Sequence, residues 1–322
     1  MKSWVVFAEV KNDLKLVEEE LEQQVCASDD FLTETSSHLL KAGGKRLRPA
    51  FALLAGKFYN YNLERMMPLA VALEMIHMAT LVHDDVVDTS LTRRGIPTVK
   101  AKWGNKISIH TGDFLLARSL VLVSNYSDPR ISKTLAKVSV KMCQGEIQQI
   151  ISAYDADQTI RDYFYRINRK TALLISASCK LGSIVSGAPT STVNALSRYA
   201  HNLGMAFQIT DDILDLTAKN TKFGKQVGSD LRQGIITLPI ICALQNSPKD
   251  LEFRELIAKK NKTDVEIQQA IGFIKDNKGI EYANEISFKF LEKAKNNLLH
   301  LPDTKAKKAF NYIAEQIGKR QF

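Results

Sequence analysis

Residues Ala70–Asp88 read AVALEMIHMATLVHDDVVD, and Arg93 and Arg94 follow closely. Leu73, Ile76, His77, Thr80, Leu81, Asp84 and Asp88 recur at helical spacing and share one side of a helix. Asp84 and Asp88, four residues apart, stand one above the other on that side. Two carboxylates so placed repel unless a cation lies between them, and acids in a last helical turn also oppose the helix dipole. The device returns in Phe207–Asp215, FQITDDILD, where Asp211 and Asp215 repeat the spacing. One acidic pair on a helix is ordinarily a solvated face. Two DDxxD motifs, each after an apolar helical run, point instead to a divalent-metal site. Hard oxygen donors without a Cys or His cluster suit Mg²⁺, which bridges carboxylates and substrate phosphates.

Working outward, the chain reads as all-α, one large helical domain over residues 1–322, with no alternating strand, linker, low-complexity tract or repeat. Residues 11–26 form an amphipathic helix with Leu14, Val17, Leu21 and Val25 inward. Helices are expected at 29–42, 50–59, 64–88, 105–125, 130–153, 159–187 and 190–217, with amphipathic helices beyond Pro248. Asp128-Pro129 starts one of them and the capping box Thr263-x-x-Glu266 another. Hydrophobic residues make up 45% of the 322 and charged residues 25%, ample for a sizeable core. The net charge of +9 reads as a mildly basic cytosolic protein or as a taste for anions: substrate, nucleic acid or membrane. No nucleic-acid recognition module accompanies it. Four cysteines without a CxxC pattern, three of them in apolar helical runs, suggest buried free thiols in a reducing compartment. No signal peptide and no apolar stretch near the length of a membrane span is read, which favours the cytoplasm, with contact at a membrane surface left open.

Facing acidic pairs loaded with Mg²⁺ call for anionic ligands, and phosphates are the natural ones. Short basic motifs are present: Lys45, Arg46 and Arg48; Arg93 and Arg94; Arg169 and Lys170; Lys222 and Lys225. Each alone reads as solvated surface charge. In series, GGKRLRP at 43–49, LVHDDVVD followed by RRG, the Lys170-Thr171 pair, and FQITDDILD followed by a Gly-Lys loop occur in a specific order. This series resembles the trans-isoprenyl diphosphate synthases over essentially the whole chain. ALEMIHMATLVHDD, NRKTALLISASCKLG and the terminal IGKRQF narrow the resemblance to the catalytic component of bacterial two-component hexaprenyl or heptaprenyl synthases.

The resemblance implies the isoprenoid synthase fold, with a central cavity between the helices that carry the two motifs. It implies a prenyltransferase that extends an allylic diphosphate, farnesyl diphosphate for example, by trans condensations with isopentenyl diphosphate. Asp84, Asp88, Asp211 and Asp215 are implied Mg²⁺ ligands, with three ions when substrate is bound and Mn²⁺ able to substitute. Asp85 lies about 100° round the helix from Asp84 and is expected to orient the site; Asp212 and Lys170 belong to the same catalytic set. Arg93, Lys170 and Lys225, with Thr171 and Gln208, are implied contacts of the allylic diphosphate. Lys45, Arg48, His77 and Arg94 are implied contacts of isopentenyl diphosphate. His83 keeps a structural reading. One departure stands out: relatives often carry a lysine after the glycine before TLP, where this chain has Gly234-Ile235-Ile236-Thr237.

Short-chain relatives plug their product tunnel with aromatics one turn before the first aspartate, whereas Ala79 and Thr80 are small here. Ile76, one turn below Thr80 and roughly 6 Å deeper, or a residue beyond it, would limit the chain. A product of six to eight isoprene units, seven foremost, is expected, with a menaquinone side chain as its destination. The two-component resemblance also expects a smaller non-catalytic subunit in a heterodimer, a homodimer being the alternative. The rivals are a class I terpene cyclase, whose second metal motif usually mixes Asn, Ser or Thr with Glu, and a non-catalytic subunit, which should have lost motif aspartates.

Overall fold

The computed structural model describes residues 7–217, 227–247 and 250–319. The order is a 3₁₀ turn Ala8–Val10, then α1 (Lys11–Gln24), α2 (Asp30–Lys41), α3 (Leu47–Gly56), α4 (Leu63–Val87), β1 (Thr92–Arg93), β2 (Ile96–Pro97), α5 (Val99–Ser124), α6 (Pro129–Ile151), α7 (Ile160–Ile167), a π-turn Asn168–Ala172, α8 (Leu173–Val185), α9 (Thr190–Thr217), α10 (Ser229–Gln233), α11 (Leu238–Asn246), α12 (Leu251–Ala258), α13 (Asp264–Asp276), α14 (Gly279–Leu298) and α15 (Lys305–Lys319). Among the described residues the all-α expectation holds, apart from a two-residue antiparallel ladder between β1 and β2. Lys225 and Lys222 lie outside the described residues, as do the first six residues of the chain and the last three of IGKRQF.

Packing groups the chain into two compact units. The first comprises Met1–Ala136, Ala177–Ser197 and Leu301–Phe310, the second Lys137–Ser176, Arg198–His300 and Asn311–Phe322. In the first unit the core forms around α3 and α4, where every residue from Pro49 to Gly56 is buried. Phe310 stacks on both Phe51 and Phe58. Gly182 lies so close to α3 that an added Cβ would sit 2.1 Å from the Ala52 carbonyl oxygen, so only glycine fits there. In the second unit Ile209 and Ile213 of α9 pack with Tyr163, the whole apolar run of α11, and Ile267, Ile271 and Ile274 of α13.

Local chemistry sets the helix ends. Asn62 Oδ1 accepts from Arg65 N at 2.9 Å to start α4, and Thr98 Oγ1 accepts from Ala101 N at 3.0 Å to start α5. The capping box Thr263–Glu266 forms as the sequence indicates, and Asp128 Oδ1 accepts from Arg130 N at 2.9 Å at the start of α6. The helix expected from residue 105 begins at a real break: Gly104 (φ 82°) interrupts an earlier helical start at Val99. The single segment expected over 159–187 is helical from Ile160 to Val185, with five residues, Asn168–Ala172, wound as a π-turn between α7 and α8.

Two expectations need correction. Cys179 and Cys242 are buried, but Cys143 and Cys26 are exposed, since the apolar run around Cys143 turns one face of α6 to solvent. Among the described residues two helices, α4 and α5, are in fact long and apolar enough to cross a membrane by length and composition. For α4 the most apolar 18-residue window is 67% buried, which marks a core helix; the figure for α5 is 33%, with Ile109, Leu120 and Val121 exposed.

Helix α4 contains Pro68, which removes a backbone donor from its second turn. Tyr126 repairs the opening: its hydroxyl accepts from Leu69 N at 3.0 Å and donates to Arg65 O at 2.6 Å. Replacing Tyr126 by Phe leaves both groups without that partner. The expected loss is about 1–3 kcal/mol of unfolding free energy, read as a lower denaturant midpoint with an unchanged m-value.

Candidate active site

The first unit carries its site on one open face of α4. His77, Thr80, Leu81, Asp84 and Asp88 are half-buried at spacings of three and four, while Ile76, Ala79 and Asp85 are buried. The two motif acids that the spacing placed together therefore share the open side. Ala79, 2% exposed, faces the packed side and Thr80 the open one.

The buried Asp85 carboxylate takes Arg93, whose Nη2 lies 2.7 Å and Nε 2.9 Å from Oδ1. Burial raises the Asp85 pKa, against the pull of Arg93. Asp85 also accepts Ser90 N at its carbonyl, 3.0 Å away, and Thr98 Oγ1 donates to Ser90 O at 2.9 Å. His38 Nε2 donates to Pro97 O at 2.7 Å. The hairpin that bears Arg93 and Arg94 is thus tied down at its base and at its far end, with Arg94 itself in the left-handed region (φ 54°).

Against that hairpin the GGKRLRP turn brings more arginines. Arg46, also left-handed (φ 45°), caps α3 and is buried. Its Nε and Nη2 each reach Glu18 at 2.6 Å, and its Nη1 reaches Glu74 at 3.1 Å. Gly44 lies beneath Arg46 and Arg94; a Cβ there would meet their terminal nitrogens at 2.8 and 2.9 Å. Burial and the charge of Arg94 pull Arg48 down to about 10, although Glu74 acts the other way. Burial and the charges of Arg48, Arg94, Arg93 and Arg46 hold His77 well below its ordinary value, so its imidazole is neutral at pH 7. Of the residues expected to meet isopentenyl diphosphate, the structure gathers Arg48, His77 and Arg94, whereas Lys45 is exposed on the turn. Glu18 and Glu74 were not foreseen. An acid alone in the apolar run Val71–Met78 was the available signal for Glu74.

In the second unit the π-turn places Lys170 and Thr171. Lys170 Nζ pairs with Glu146 at 2.8 Å, and Thr171 Oγ1 donates to Gln208 Oε1 at 2.6 Å. Gln208 Nε2 in turn donates to Asp212 Oδ1 at 2.8 Å, and the Tyr163 hydroxyl donates to Asp212 Oδ2 at 2.7 Å. Asp212 thus faces the core, where burial pushes it up to about 7. Asp211 is exposed on the other side of the turn. Asp215 accepts Ser229 N at 3.2 Å and Asp230 N at 3.1 Å, which anchors the start of α10. The second motif therefore splits by role: one outward carboxylate, one core-facing, one anchoring. Gly234 (φ 73°) closes α10 and Ile235, where relatives often have lysine, is half-buried.

Among the described residues no three acids, histidines or cysteines converge into a cage for a metal ion. Paired carboxylates of hard oxygen without a cage fit Mg²⁺, which takes the rest of its shell from water and substrate phosphates. His83, beside Asp84, packs its ring over Gly112 and bonds Ile109 O at 3.2 Å, in line with a structural reading.

Helices of this kind carrying two DDxxD motifs and an arginine-rich turn define an isoprenoid-type prenyl synthase, and the chain belongs to the polyprenyl synthetase family, whose model matches residues 29–274. It is 48% identical to heptaprenyl diphosphate synthase component 2 of Geobacillus stearothermophilus, with both chains covered in full. It is 43% identical to the protein of that description from Bacillus subtilis strain 168, covering 100% of this chain and 92% of that one. The crystal structure of heptaprenyl diphosphate synthase from Staphylococcus aureus superposes with a TM-score of 0.92 at 40% identity, covering 97% of this chain and 99% of that one. The chain is accordingly a trans-prenyltransferase.

The raised Asp212 pKa makes a thermodynamic prediction. Its folded pKa lies above the ordinary carboxylate value, so the protonated form is favoured by folding and ionisation costs stability as pH rises. In metal-free buffer, the melting temperature of the parent protein relative to Asp212→Asn should decline between about pH 4 and about pH 7 and level off above that. A constant difference across that range would show that Asp212 does not titrate there.

Proposed function

We propose that the chain extends farnesyl diphosphate by successive trans condensations with isopentenyl diphosphate to heptaprenyl diphosphate, the precursor of a menaquinone side chain. The observation that carries the reading is the gathering of Arg48, Arg94 and a neutral His77 on the α4 face that also bears Asp84 and Asp88. Guanidinium groups held together at a cost in mutual repulsion suit a diphosphate, which relieves it. The relatives named as heptaprenyl synthases support the product length.

Asp84 and Asp88 of the first motif and Asp211 of the second would hold Mg²⁺, while Asp215 anchors α10. The bound ions supply charge neutralisation to the departing diphosphate. Arg93, kept in place by Asp85, and Lys170 with Thr171 and Gln208 orient the allylic diphosphate. Arg48, Arg94 and His77 hold isopentenyl diphosphate, with Lys45 and Lys225 as further cations. The allylic C–O bond breaks, the isopentenyl double bond attacks the resulting cation, and proton loss to the released diphosphate completes the five-carbon addition. The protein contributes position and electrostatics and needs no nucleophile.

Thr80, small and on the open face, leaves room for the growing chain, and Ile76 lies one turn deeper. A partner is part of the proposal: a smaller helical subunit without aspartate motifs, as the "component 2" of the bacillar relatives suggests. The proposed setting is the cytoplasm, with contact at a membrane surface when product leaves.

The test is to incubate the purified chain with farnesyl diphosphate, labelled isopentenyl diphosphate and Mg²⁺, with and without the candidate small subunit, and to size the products. Elongation that depends on isopentenyl diphosphate is expected; conversion without it would indicate a cyclase. Full long-chain activity of the chain by itself would remove the two-component reading. Thr80→Phe should shorten the product to about three or four units, and Asp84→Asn should lower kcat by at least about 10²-fold. An unchanged product length from Thr80→Phe would remove the tunnel reading.

A further inference from the structure

We infer that Glu74 sets affinity in the diphosphate pocket: it is a buried counter-charge that keeps Arg48, Arg94 and His77 from retaining a diphosphate after each condensation. The inference rests on the reading of that pocket as the isopentenyl diphosphate subsite.

Glu74 is 2% exposed and lies three residues before His77 on α4, one turn away along the same helix. One of its oxygens takes Arg46 Nη1 at 3.1 Å. The other, Oε2, is buried with no hydrogen-bond partner among the described residues, and Arg48 Nε is in the same condition. A buried carboxylate oxygen without a donor is a standing cost that most folds avoid. Arg46 does not require it, because Glu18 already meets that guanidinium with two bonds of 2.6 Å. The charge of Glu74 therefore reaches beyond its pair with Arg46. It acts on Arg48 and Arg94, where it favours the charged forms and offsets their mutual repulsion. With a diphosphate present, the same charge repels it.

The chemistry gives that repulsion a use. When the isopentenyl carbon bonds to the allylic carbon, the allylic diphosphate leaves, and the lengthened chain carries the diphosphate brought by the isopentenyl unit. Another addition requires that group to quit the arginine pocket and take the leaving-group position beside Asp84 and Asp88. Asp84 lies seven residues beyond His77, roughly 10 Å along the helix. Arginines with no opposing carboxylate would hold the diphosphate where it was delivered, and elongation would stop early. Glu74 thus makes the pocket a place of passage.

Glu74→Gln keeps the shape and removes the charge. Titration of isopentenyl diphosphate into metal-free protein should show binding about tenfold tighter than in the parent protein. In the Mg²⁺ assay the KM for isopentenyl diphosphate should fall, the KM for farnesyl diphosphate should stay, and kcat should drop as products shift to shorter chains. Glu74→Asp, which retains the charge, should keep the parent affinity. Glu18→Gln provides a second variant at a half-exposed position; its charge also reaches Arg94, so binding should tighten by about two- to threefold. Unchanged or weaker binding in Glu74→Gln overturns the inference, as does lost thermal stability without a gain in affinity. Should Glu74→Gln not fold, unchanged or weaker binding in Glu18→Gln overturns it. If the parent protein binds no isopentenyl diphosphate, the subsite reading itself falls, and the parent titration reports that failure separately from the variants.

Discussion

Like charge held at close range is the constraint on which the first unit depends. Arg46, Arg48, Arg93 and Arg94 crowd against one another and against His77, and the fold answers with three carboxylates on two helices. Glu18 comes from α1, Glu74 and Asp85 from α4, so α1, α4, the GGKRLRP turn and the Arg93–Arg94 hairpin are fixed by one set of ion pairs. Breaking a buried pair on one side leaves an uncompensated charge, which is why such a set acts together. The left-handed backbone at Arg46 and Arg94 belongs to the same arrangement, because it aims two consecutive motifs at one pocket.

The aspartate motifs show a division of labour that their symmetry of sequence conceals. In DDVVD the first and last acids lie on the open face and the middle one is buried on Arg93. In DDILD the first is exposed, the middle one is buried on Tyr163 and Gln208, and the last anchors α10. Both middle aspartates therefore act through other residues. Asp85 fixes a cation of the site, and Asp212 fixes Gln208, which in turn meets Thr171. The π-turn over Asn168–Ala172 serves the same end, since the extra residue per turn presents Lys170 and Thr171 to Glu146 and Gln208.

Much of this was legible in the chain itself. Helical periodicity in Ala70–Asp88 and Phe207–Asp215 announced the all-α fold, and the i,i+4 acids announced where cations would be needed. The capping signals at Asp128 and Thr263 marked helix ends correctly, whereas the helix expected from residue 105 starts earlier, at Val99, ahead of the break at Gly104. Other features were out of reach. The π-turn over Asn168–Ala172 is too short to leave a periodic signature of its own. Cys143 lies in an apolar run but on an outward face, and the two-residue ladder at Thr92–Pro97 is too short for alternation to register.

The sequence by itself determined the helices, the two acidic pairs and the order of the basic motifs, because those follow from spacing of three and four along one backbone. Tertiary structure alone decided which oxygens are taken and which charges meet. Glu18 and Arg46 are 28 residues apart, as are Arg46 and Glu74, and Tyr163 and Asp212 are 49 apart. Whether Thr80 or Ala79 faces the open side depends on which flank of α4 its neighbours cover. Periodicity fixes the angle between two residues on a helix, but only packing fixes which direction is solvent and which is core.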